Sequence, residues 1–70
     1  MVAKDIRIVV GESLRDLRQE KGWSQEELGF RSGLHRNYIG GIERGERNVA
    51  LLNLAKLAKA LGIRPRELLP

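Results

Sequence analysis

Residues 23–45 read WSQEELGFRSGLHRNYIGGIERG, and the fold turns on them. Ser24 and Glu27 have the S-x-x-E spacing of a capping box. In that motif the serine oxygen accepts a free N–H of the first turn while the glutamate reaches back to the cap. Glu26 and Glu27 also suit the positive end of a helix dipole. The helix opened there runs to about Ser32, and Gly33 supplies the left-handed residue that ends a helix at little cost. Leu34 points inward from the turn. A second helix starts near His35 or Arg36 and stops at Gly45, again a glycine. Leu28, Leu34, Ile39 and Ile42 supply buried contacts, and Gly29 lets the two helices approach closely. Two short helices joined by a tight, glycine-containing turn make a helix-turn-helix, with its core at about residues 24–44.

Upstream, residues 5–21 read as a first helix. Ile6, Val10, Leu14 and Leu17 recur at helical spacing, with Arg15, Asp16, Gln19 and Glu20 on the other side. Val9 extends the stripe or serves a dimer contact. Gly11 weakens the middle, and Lys21 and Gly22 close the helix with a cation and a glycine. Arg18 lies at the edge of the stripe, where a charged side chain snorkels. Trp23 is a large anchor between helices. Downstream, Glu46-Arg47-Asn48 is a polar loop, and residues 49–61, VALLNLAKLAKAL, form a helix ending at Gly62. Leu51, Leu54, Ala55, Ala58 and Leu61 make its core face, which Leu52 and Leu57 do not fit. Residues 63–69 read as a short last helix with Pro65 in its first turn. Five helices and no strand signal predict one all-α domain over residues 1–70.

Thirteen Lys and Arg against nine Asp and Glu give a net charge of +4, with a pI of about 10.1. That balance favours anionic partners, nucleic acid first. With no cysteine and a single histidine, His35, neither a disulfide nor a metal site is expected. A 70-residue chain has a marginal core, so oligomerisation is the expected extra support. No apolar run is long enough to span a membrane. The five-residue apolar patch of MVAKDIRIVVGES is too short for a signal peptide, and a cytoplasmic location is expected. No nucleophile–base pair, strand-linked glycine loop or paired-carboxylate cleft is present. Neither enzymatic activity nor a cofactor is expected.

The run GWSQEELGFRSGLHRNYIGGIERGERN, with LAKLAKALGI behind it, resembles the lambda-repressor-like (Xre-type) helix-turn-helix family over about residues 6–69. S-Q-E-E-L, S-G-L, I-E-R-G and L-A-K-A-L-G stand in the family's order. HRNYIGGIERGERN looks most like the controller proteins of restriction–modification systems. Those are stand-alone dimers that bind operators and time the expression of their own operon. The resemblance implies a five-helix lambda-repressor-like domain, double-stranded DNA as partner, and a homodimer on a palindromic operator. An antitoxin-like role, with a toxin as main partner, is the rival. Such proteins usually carry an added segment, and the chain ends at Pro70 without one, which favours the regulator. With no second domain to sense one, no small-molecule ligand is expected. Two departures concern caps. Ala50 stands where the fourth helix commonly has Ser or Thr, and Arg64 where the last often has Ser. A lost cap costs roughly 0.5–2 kcal/mol, unless Asn48 caps an earlier start.

In this architecture the second motif helix enters the major groove and its first residues meet base edges. By position those are Arg36, Asn37, Gly40 and Gly41. Arg pairs with guanine O6 and N7, and Asn with adenine. The competing reading makes Arg36 a solvated charge or a phosphate clamp. Gly40 and Gly41 would let the backbone sit deep in the groove. In resembling proteins a glutamine at Gln25 binds a phosphate and braces the recognition helix. Arg44, Arg47 and Asn48 look like backbone contacts. His35 caps the recognition helix or touches a phosphate. Tyr38 packs on the core, reaches a phosphate, or meets the partner's half-site. The resemblance also implies a partly buried pair between Arg18 and Glu43. Leu52, Leu57, Ile63, Leu68 and Leu69 are more apolar surface than a monomer should expose, and are expected at the dimer interface.

Overall fold

A computed structural model describes residues 4–70; Met1–Ala3, part of the segment read against a signal peptide, lie outside the described residues. Four α-helices follow in order: α1 (Ile6–Glu20), α2 (Gln25–Ser32), α3 (Arg36–Glu43) and α4 (Leu51–Leu61). The chain then makes a 3₁₀ turn at Pro65–Leu68. The expected fifth α-helix is thus a single 3₁₀ turn. Pro65 cannot donate, and the backbone is already extended again at Leu69.

The helix ends follow their sequence signals closely. The Asp5 carboxylate caps α1 by accepting from the Arg7 N–H at 2.8 Å. Ser24 caps α2, its Oγ accepting from Glu27 N–H at 3.0 Å. Only half of the expected capping box forms, because the Glu27 carboxylate turns forward to Arg31, one turn on, at 2.9 Å. Gly33 ends α2 with φ +77°, and Gly62 ends α4 with φ +72°. Asn48 does not cap α4, which starts at Leu51 with Ala50 before it and no side-chain cap. The Glu67 carboxylate accepts from the Arg64 N–H at 2.8 Å, where a Ser cap was missing.

The core comprises Val10, Leu14, Leu28, Ile39, Ile42, Leu54, Leu57, Ala58, Leu61 and Leu68. α1 packs mainly on α3, while α2 touches both α3 and α4. The 3₁₀ turn closes the bottom against α4 and α1, driving Leu68 into the core with no exposed surface. Leu57 is equally buried, at 1% exposure. Both were expected at a dimer interface, and both are core residues of the monomer instead. Ile63 also packs partly against the core. The buried face of α4 is therefore Leu54, Leu57, Ala58 and Leu61, while Leu51 (81%) and Leu52 (67%) face solvent and Ala55 is exposed.

Gly11, read as a weak point in α1, is a contact point. A Cβ there would collide with the Ile42 carbonyl oxygen and lie 2.9 Å from that of Glu43. Its absence lets α1 cross the end of α3 backbone to backbone. Gly29 does the same within the motif, where a Cβ would sit 2.6 Å from the Leu34 carbonyl oxygen.

Candidate nucleic-acid interface

One partly buried ion pair ties the end of α3 to α1. Arg18 donates through Nε to Glu43 Oε2 at 2.7 Å and through Nη2 to Glu43 Oε1 at 2.9 Å. Its third nitrogen, Nη1, donates to the Trp23 carbonyl at 2.7 Å. Gln25 Nε2 donates to Glu43 Oε1 at 3.0 Å. The two charged side chains retain only 11% and 4% of their exposure. Charge-assisted, bidentate geometry of this kind is directional as well as strong. One carboxylate near the end of α3 is thereby tied to α1, to the α1–α2 turn and to the start of α2. The Glu43 hydrogen bond holds the Arg18 guanidinium above its ordinary pKa against the opposing effect of burial. The pair expected between Arg18 and Glu43 is formed, and Gln25 supplies the expected brace.

At the other end of α3, His35 is the cap. Its Nδ1 accepts from the Asn37 N–H at 3.0 Å. Arg36 and Asn37 follow in the first turn, both exposed. Arg36 donates through Nη1 to Glu26 Oε2 at 2.6 Å, bridging α3 to α2 across the motif turn. Arg31 is paired with Glu27, and Arg44 approaches Glu46 at 3.2 Å. Exposed pairs like these contribute only ~0–1 kcal/mol each to folding. Because Glu43 is sequestered, the outer surface from Arg31 to Arg47 carries four arginines and one exposed acid of that segment, Glu46.

Gly40 and Gly41 differ from expectation. Both are buried, beneath side chains of the same chain. A Cβ on Gly40 would lie 3.0 Å from Arg44 Nη1 and 3.2 Å from Gln25 Oε1; one on Gly41 would lie 2.8 Å from Arg47 Cγ. These glycines are therefore seats for Gln25, Arg44 and Arg47 rather than open backbone at a base edge. Arg47 also lies over the Tyr38 ring, 6.0 Å from its centroid. Asn48 is exposed beside it.

Of the three readings open for Tyr38, packing on the core is the one seen. Its hydroxyl accepts from the Ala50 N–H at 3.4 Å and from Asn53 Nδ2 at 3.2 Å. A side chain of α3 thus ties down the entry to α4, while the N–H groups of its first turn have no side-chain cap. Asn53 was not singled out in the sequence, and Glu26 was read only as a first-turn acid, without its pairing to Arg36. A lone amide in an otherwise apolar stretch marks the first. The second could be inferred from Glu27 being claimed by Arg31 at i+4, which leaves one acid over in the first turn of α2. Gly11 carried a signal too: a glycine beside Val10 and three before Leu14 lies on the inward face of a helix.

The helix-turn-helix family pattern matches residues 14–68. This chain belongs to the helix-turn-helix family. It is 48% identical to the control protein C.BamHI of Bacillus amyloliquefaciens over 69 residues, 97% of this chain and 85% of that one. The crystal structure of the restriction-modification controller protein C.AhdI from Aeromonas hydrophila superposes with a TM-score of 0.87 at 60% identity. That match covers 89% of this chain and 94% of that one. SinR, a master regulator of biofilm formation solved in complex with DNA, superposes with a TM-score of 0.81 at 30% identity, over 84% of this chain and 95% of that one.

Proposed function

We propose that this helix-turn-helix protein is a sequence-specific DNA-binding transcriptional regulator. It acts in the cytoplasm as a lambda-repressor-like homodimer on a palindromic operator, as a controller of a restriction–modification system. It works by binding DNA, with no chemical step and no small-molecule ligand. The observation that carries this reading is the exposed Arg36–Asn37 pair at the start of a helix locked by the buried Arg18–Glu43 bridge. A helix presented this way can enter the major groove with its first turn at base edges. Arg36 and Asn37 read bases; Gln25, His35, Arg44, Arg47 and Asn48 hold the phosphate backbone, with Tyr38 packed on the core beneath Arg47. Gly40 and Gly41 contribute by letting Gln25, Arg44 and Arg47 lie across α3.

Dimerisation uses the apolar face that the monomer leaves open. Leu51, Leu52, Leu69 and Ile6 are all exposed large hydrophobics. Ile6, Val10, Val49, Leu51, Leu54 and Leu69 line one shallow hollow. A two-fold axis there would set two copies of α3 for successive major grooves, about 34–36 Å apart.

The test is a set of titrations of wild type, Arg36→Ala and Arg47→Ala at several salt concentrations. The duplexes are the consensus that wild type enriches from a randomised pool and a scrambled version of it. Arg47→Ala should weaken both and flatten the salt dependence by about one unit per protomer contact. Arg36→Ala should remove roughly 1–3 kcal/mol of preference at one base pair per half-site and leave scrambled binding nearly unchanged. Equal losses on both duplexes for Arg36→Ala would make Arg36 a phosphate clamp.

A further inference from the structure

Among the described residues, the one salt bridge between α2 and α3 is the Arg36–Glu26 pair, 2.6 Å long, between side chains 60% and 75% exposed. The two residues rim one shallow depression, floored by Gly29 and Leu34 and flanked by Phe30 and His35. Such an exposed pair adds little to folding. Its consequence lies in what it does to the arginine.

We infer that Glu26 is a positioning residue for Arg36, holding its guanidinium in the orientation that reads a guanine and restraining it from phosphates. This rests on the DNA-reading role given to Arg36 above. Arginine has a long, freely rotating stem and a planar fork of donors. Seating that fork on a base edge requires the stem to be ordered first, and ordering one rotamer-rich side chain at an interface is costly. Glu26 orders it in advance. Only Nη1 is engaged, which leaves Nε and Nη2 as a two-donor edge of the kind that meets guanine O6 and N7. The carboxylate also offsets the pull of Arg36 toward any nearby phosphate. Both effects widen the gap between the right base pair and a wrong one.

No other carboxylate bonds to Arg36 among the described residues, and Glu26 bonds to nothing else there. Glu27, its neighbour, is held by Arg31. Gln25 is held by Glu43. The side chain of His35 is engaged through Nδ1 in capping α3. The contact can therefore be removed without disturbing the brace that orients the helix.

The experiment is a double-mutant cycle of wild type, Glu26→Ala, Arg36→Ala and the double variant. The duplexes are the consensus that wild type enriches from a randomised pool and the same duplex with the Arg36-dependent G·C pair replaced. Glu26→Ala should lower the preference for G·C by about three- to tenfold, the fold-change expected from freeing one long side chain. Affinity for a scrambled duplex, titrated alongside, should rise slightly. In the Arg36→Ala background the Glu26 substitution should change preference not at all. Glu26→Gln, which keeps the shape and one acceptor, should fall between. If Glu26→Ala shifts both duplexes equally and does so with or without Arg36, Glu26 is a remote charge and the inference fails. A rise in G·C preference would make Glu26 a competitor and would also overturn it. If wild type enriches no sequence at all, the DNA reading itself falls, a result distinguishable from either.

Discussion

Replacing Arg18 by alanine should remove a large share of this protein's stability. The substitution removes both charged hydrogen bonds to Glu43, at 2.7 and 2.9 Å, and the bond to the Trp23 carbonyl. Glu43, at 4% exposure, would keep only the Gln25 amide. Stranding one partner of a buried pair typically costs ~3–5 kcal/mol. A domain of 70 residues, at ~0.05–0.15 kcal/mol per residue, has only ~3.5–10 kcal/mol in all. Urea unfolding followed by far-UV circular dichroism and Trp23 fluorescence measures the loss, provided the slope with denaturant is unchanged. The paired substitution Arg18→Met with Glu43→Leu removes both charges at similar volume. It should recover at least about half of the loss, since apolar replacements of buried pairs are often close to neutral. An Arg18→Ala variant destabilised by less than about 1 kcal/mol would refute the reasoning. It would mean that the carboxylate finds water or another donor, and that α3 is oriented by apolar packing alone.

Three further outcomes follow from particular contacts. Gly11→Ala should destabilise by about 1–3 kcal/mol despite the better helix propensity of alanine, because the new Cβ meets immobile backbone of α3; a thermal melt at or above wild type would contradict this. Leu52→Lys should weaken self-association in sedimentation while leaving the monomer folded, whereas Leu57→Ala should cost ~2–5 kcal/mol of stability through its cavity; the reverse pattern would put Leu57 at the interface after all. Asp5, held at about 2 against an ordinary 3.8 by the Arg7 side chain first and the Arg7 N–H second, should titrate near that value by NMR. Its folded pKa is depressed, so its contribution to the α1 cap is complete above about 3.8 and fades as pH falls through about 2; titration at the ordinary value would show the cap to be broken in solution.

The sequence by itself determined the local structure. Ser24, Gly33, Gly45 and Gly62 act on their immediate neighbours, and capping and left-handed turns are decided within a few residues. The helix boundaries therefore fell where those residues placed them, within a position or two. The motif core was legible for the same reason, and so was the exposed Arg36–Asn37 start of α3. The Arg18–Glu43 pair spans 25 positions of chain and was reached only through family resemblance, because no local pattern joins residues so far apart.

What the tertiary structure decided is which of several possible faces each helix buries. The segment VALLNLAKLAKAL is apolar nearly all round, so periodicity permits more than one stripe. Contacts with α2 and the 3₁₀ turn select Leu54, Leu57, Ala58 and Leu61, and expel Leu51 and Ala55. Leu68 enters the core because the chain after Gly62 folds back under α1 and α4, a choice that no residue near Leu68 dictates. Gly11 looks like a propensity defect until α3 lies against it. Gly40 and Gly41 look like open backbone until Gln25, Arg44 and Arg47 cover them. Local signals fix where a helix begins and ends; its orientation is settled by the total apolar area and the buried polar pairing that all elements achieve together.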